Sequence, residues 1–211
     1  MNTELKSIVS SISNWNDLKK DKQRFFETIS KYTDFEVRVP KMSACQEQFH
    51  IYFGLKINED TLKENVVMHV ISDFNDQSET LLKLESIEDF IFTIDLKKRD
   101  GLSHPYEIEE AEAIKRATAW ADEEILRKWI DEHTLFNAFL ISKDDFLLNH
   151  NYTAHFGMKV ENEDSTGYTP DLFIKNHSEA DQTSYYDLAR LCPPYGRIEK
   201  LGLYTLSVDT N

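Results

Sequence analysis

The sequence predicts an α+β fold in one domain, 1–211, with an antiparallel sheet of about six to eight strands and helices packed on one face. Three observations carry that expectation. Apolar residues recur at helical spacing in two stretches, they alternate with polar residues in several others, and one nine-residue strand pattern occurs twice. No Pro/Gly/Ser-rich linker interrupts the chain, which favours one domain over two.

The first 33 residues read as helix. Leu5, Ile8, Val9 and Ile12 share one helical face, Asn14 to Asp17 offers a break, and Leu18, Phe25, Phe26, Ile29 and Tyr32 continue a second stripe. From Phe35 the period changes to two, with Phe35, Val37 and Val39 alternating with Glu36 and Arg38 until Pro40 ends the run. Phe49 to Ile57, Val66 to Ser72 and Phe90 to Leu96 are further strands, and Asn75 to Glu88 has room for a short helix. Ser103-His104-Pro105 reads as a helix entry, because Pro in a first turn lacks only an N–H that is not needed there. Glu107 to His133 contains neither Gly nor Pro and carries Ala111, Ile114, Ala117, Ala121, Ile125 and Trp129 near helical spacing, so one long helix is expected. Strand signals return at Asn137 to Ser142, Tyr152 to Val160, Leu172 to Lys175 and Gly202 to Val208, with Glu161 to Thr169 as a hairpin or loop.

Phe49 to Ile57 aligns without gaps on Tyr152 to Val160. Phe53/Phe156, Gly54/Gly157 and Lys56/Lys159 are identical, and Phe49/Tyr152, Leu55/Met158 and Ile57/Val160 are alike in kind. With their flanks, the two stretches predict a duplicated helix–strand–strand–strand unit, 17–100 and 105–208; coincidence between two similar strands is the alternative. A glycine at the same place in both predicts a strand bend or the close approach of another backbone.

The chain carries 38 acidic and 24 basic side chains, a formal charge of −14. Such a field repels phosphate backbones and anionic lipid, so neither nucleic acid nor a membrane is expected as partner; the charge serves solubility or, as the sharper reading, attracts a basic protein. The first twenty residues lack a basic start followed by an apolar run, and no stretch has the length of a membrane span. Two cysteines, Cys45 and Cys192, do not make a disulfide framework, and a reducing cytoplasm is the expected location.

The second half contains Glu110-Ala-Glu, Trp120, Ala138-Phe-Leu-Ile-Ser-Lys-Asp-Asp145, a Phe-Gly strand, Tyr186-Asp187 and Cys192-Pro-Pro194. In these motifs it resembles a set of uncharacterised bacterial proteins with a C-terminal Cys-Pro-Pro motif. That set has a second Cys soon after the prolines, where this chain has Tyr195-Gly196. The resemblance implies a fold pattern and no activity.

Cys192 lies between Arg190 and Arg197, which would favour a thiolate, while the two following prolines describe a rigid turn around a structural Cys. A nucleophilic Cys192 would need a base from His150, His155 or His177. His150 and His155, with Asp144, Asp145, Asp171, His177 and Asp181, invite comparison with a metal set, but no HExxH, H-x-H or CxxC spacing occurs, so no metal is expected. The paired carboxylates follow from the acidic composition, and the six glycines form no phosphate-cradling loop, so no cofactor is expected. Trp120 and Trp129, nine apart, project from opposite sides of a continuous helix: one is an exposed interaction anchor, or both are covered, one by the sheet and one by the N-terminal helices.

The predicted function is therefore a non-catalytic acidic protein-interaction module, with an inhibitor or immunity role as one concrete form. The alternative is a small cysteine-dependent hydrolase or transferase using Cys192, with His155 among its candidate bases.

Overall fold

The computed structural model describes residues 3–37, 48–58, 60–77, 81, 91–95, 111–142, 152–160, 167–177, 185–186 and 190–192. In chain order these form α1 (Thr3–Leu18), α2 (Lys22–Ile29), β1 (Asp34–Val37), β2 (Gln48–Ile57), β3 (Glu64–Ser72), β4 (Ile91–Asp95), α3 (Ala111–Ala121), α4 (Glu123–Glu132), β5 (Ala138–Ser142), β6 (Tyr152–Val160), β7 (Tyr168–Asn176), β8 (Tyr185–Tyr186) and β9 (Arg190–Cys192). The class is α+β, and every strand pairing among the described residues is antiparallel. The strands divide between two sheets, one ordered β4-β3-β2-β5-β9 and the other β1-β6-β7-β8. Ser103 to Pro105 and Gly202 to Val208 lie outside the described residues, as does most of Asn75 to Glu88.

Two helix boundaries differ from the sequence expectation. α1 runs through Asn14 to Asp17 without a break, because Trp15 and Leu18 complete its buried stripe. The interruption comes later, where the Asp21 side chain accepts from Arg24 N (3.0 Å) and caps α2. Conversely, the described part of the expected long helix is two helices. Asp122 leaves helical space (φ −77, ψ 110), and its carboxylate accepts from Glu124 N (2.9 Å) and Ile125 N (3.2 Å), starting α4. The break redirects the second half of the run, so Trp120 and Trp129 are both buried. Trp120 stacks on Phe156 (4.8 Å between centroids) and donates from Nε1 to Tyr32 O (3.0 Å); Trp129 stacks on His133 (5.3 Å).

One face of each sheet contributes to a shared apolar core. Phe49, Ile51, Phe53 and Leu55 of β2 meet Tyr152, Ala154, Phe156 and Met158 of β6 there, with Phe53 and Phe156 in ring contact (5.9 Å). Four arrangements occur twice around that contact. Trp15 of α1 stacks on Phe53 (5.1 Å) as Trp120 of α3 stacks on Phe156. Four residues before each Trp, Ser11 and Arg116 stand over Gly54 and Gly157. A Cβ at Gly54 would lie 2.5 Å from Ser11 Oγ, and one at Gly157 would lie 3.1 Å from Arg116 Cβ, so each glycine admits the crossing helix. β1 pairs with β6 and β5 with β2, so each half's first strand lies beside the other half's long strand. In those positions Phe35 contacts Phe156 (5.6 Å) and Phe139 contacts Phe53 (5.8 Å).

Candidate functional site

β5 accompanies β2 only from Gln48 to Tyr52, and the rest of that edge of β2 has no strand neighbour among the described residues. α1 runs alongside, and Asn14 Nδ2 donates to Leu55 O (3.1 Å). Beyond Ile57 the chain turns back into β3 through a tight loop. Leu62 N donates to Asn58 O (2.7 Å), and Thr61 N and Oγ1 both donate to Asn58 Oδ1 (2.9 Å each). The turn places Leu62 at φ 53 with 76% of its surface exposed. Such a φ is uncommon for a residue with a side chain and costs on the order of 1 kcal/mol, which the loop's hydrogen bonds offset.

Between α1 and this hairpin lies an open groove of about 780 Å³. Lys6, Ser7 and Ser10 line it from the helix, and Lys56 and Lys63 from the hairpin. No carboxylate is among the described residues that line it, although acidic side chains outnumber basic ones in the chain. All three lysines are exposed, and none has an acidic partner within ion-pair distance among the described residues.

Ser11 sits on the groove floor against His69. Its Oγ donates its one proton to Ile8 O (2.7 Å), so toward His69 Nε2 (2.7 Å) it acts as acceptor. Nε2 then carries the ring proton, and Nδ1 accepts from Thr93 Oγ1 (2.9 Å). Activating Ser11 as a nucleophile would require the opposite tautomer. Burial, and secondarily Lys56, lowers the His69 pKa to about 3, so the ring stays neutral. The contact ties α1 to β3 and β4.

A second buried polar cluster lies on the same face of β2. His50 Nδ1 donates to Asp76 Oδ2 (2.6 Å), and Tyr52 Oη donates to the same oxygen. His50 Nε2 has no hydrogen-bond partner among the described residues, and its ring is fully buried.

The residues singled out in the sequence do not converge. Cys192 occupies β9, its backbone in register with Ala138 at the edge of the first sheet; its side chain lies outside the described residues, as do Cys45 and His150. His155 is in β6 of the other sheet, 5% exposed and stacked on Phe173 (5.2 Å). Burial first, then Lys175 and His177, lower its pKa to about 4 against the opposing pull of Asp34. His177 is exposed and shares a hydrogen bond with Thr153 Oγ1 (2.7 Å). Among the described residues no three His, Cys, Asp or Glu side chains are gathered as a metal set. Among them, too, no helix is long and apolar enough to cross a membrane. Asp171 is engaged by Arg116 Nη1 (2.7 Å) in a buried ion pair. Trp129 borders a smaller cavity of about 400 Å³ with His133 and Tyr168.

Lys6, Lys56 and Lys63 were not distinguishable in the sequence, where they are three of many scattered lysines. The one local signal was polar: Ser7, Ser10 and Lys6 share a stretch of α1 flanked by its buried stripe. No family model, curated protein or solved structure matches this chain.

Proposed function

We propose that this chain is a non-catalytic binding module that works through the groove between α1 and the β2–β3 hairpin. The observation that carries this reading is the local reversal of charge: three lysines with no acidic side chain in ion-pair distance among the described residues line one 780 Å³ recess in a chain of charge −14. Like charges lining one groove repel one another, and a bound anion would relieve that repulsion. The expectation of a basic protein partner applies to the remaining surface, where acidic groups predominate. Amide chemical-shift mapping of the isotopically labelled chain with small anions at low salt tests the reading. Saturable shifts confined to Lys6–Asn14 and Lys56–Asn65 are expected. Shifts scattered over the surface, or none, would remove the groove as a working site.

We also propose that the halves arose by duplication. The aligned Phe-Gly strands, the two Trp–Phe stacks and the reciprocal placement of β1 and β5 support that reading. The halves then diverged in use: where the first has Ser11 beneath an open groove, the second has Arg116 held by Asp171 and Glu112.

A further inference from the structure

We infer that the ligand of the groove is a sugar or polyol carrying two or more phosphate groups, an inference that rests on the groove being the binding site. The cations present are lysines, point charges of the kind that bind phosphate groups without a fixed two-pronged geometry. A phosphate presents terminal oxygens in several directions and accepts from donors on facing walls. Lys6 comes from one wall, and Lys56 and Lys63 from the other. Three cations call for more than one dianionic group.

The rest of the lining describes the body that carries the phosphates. Ser7, Ser10, Asn14 and Asn58 are hydroxyl and amide side chains, and the described lining includes no aromatic ring on which a base would stack. That lining favours a hydroxylated body over a nucleobase. A volume of about 780 Å³ admits such a molecule whole, where one inorganic phosphate would leave most of the space to water.

The test is calorimetric titration of the full chain at low ionic strength with fructose 1,6-bisphosphate, citrate and fructose as probes. The bisphosphate is expected to bind one to one, at least about fivefold more tightly than citrate, with no heat from fructose. Raising the salt to 0.2 M should weaken binding by about tenfold through screening of exposed charges. The Lys56→Gln/Lys63→Gln double variant should weaken it by about tenfold or more, and Lys31→Gln, an exposed lysine outside the groove, should leave it unchanged. Thermal melts of each variant confirm that exposed substitutions leave the fold intact. If citrate binds as tightly as the bisphosphate and is equally sensitive to the double variant, the phosphate inference fails while the groove stands. If no anion binds, or binding survives the double variant, both fail.

Discussion

His69 shows how a buried polar group links α1 to the first sheet and to the pH range of the fold. Its ring is neutral between Ser11 and Thr93, with a pKa of about 3 instead of the ordinary value near 6.5. Between those values the unfolded chain takes up a proton that the folded chain refuses. This contribution to stability is complete above pH 6.5 and is lost as the pH falls toward 3, and His155, at about 4, acts in the same direction. His69→Gln should lower stability at pH 7.5 by about 1–3 kcal/mol and flatten the decline between pH 6.5 and 4. Urea unfolding at three pH values measures both effects; an unchanged slope would show that another group controls the acid limit. None of this was legible in sequence. His69 reads there as one polar residue in a strand, and its partners Ser11 and Thr93 belong to α1 and β4, so no local spacing records the contact.

Helix α1 and strand β2 cross at Gly54, where a methyl group would meet Ser11 Oγ at 2.5 Å and His69 Nε2 at 2.9 Å. Gly54→Ala should cost about 1–3 kcal/mol, the range for overpacking a tight contact. Ser11→Ala should cost about 1 kcal/mol or more, because it strands the His69 N–H. Since both act at one contact, the double variant should cost less than the two single costs added, by about 1 kcal/mol. A cycle of four denaturant midpoints reads that coupling, and strict additivity would refute the crossing as described. Gly157→Ala should be milder, as its nearest contacts are at 3.1 Å. The glycines were legible as sites of close approach because a Gly inside a strand has few other uses. The helix break at Asp122 runs against the single long helix expected, although a local signal for it exists. An Asp followed by Glu123-Glu124 is a helix start, outweighed in the sequence reading by the unbroken apolar spacing on either side.

For the whole molecule, the placement of β1 beside β6 and β5 beside β2 means that each half lends a strand to the other. Co-expressed fragments 1–103 and 104–211 should therefore associate one to one and recover the helix and strand content of the intact chain. Either fragment alone should remain largely unfolded or self-associate, since its long strand loses a neighbour and its core face is opened. Size-exclusion chromatography and circular dichroism decide between these outcomes; two independently folded, non-associating fragments would contradict a shared core.

The sequence by itself determined the α+β class, most strand positions, the two crossing glycines and the repeated strand, because alternation, β-branched and aromatic content and turn residues act over a few positions. The tertiary structure decided which strand pairs with which. Phe35 and Phe139 carry the same inward-facing pattern, so alternation alone does not distinguish β2 from β6 as the neighbour of either. The extra chain length spanned by the exchanged pairing adds little, because loop-closure cost rises only as the logarithm of loop length. What the exchanged pairing adds is packing, with Phe35 against Phe156 and Phe139 against Phe53. The groove is settled at the same level, since its lysines meet only after α1 is laid beside β2.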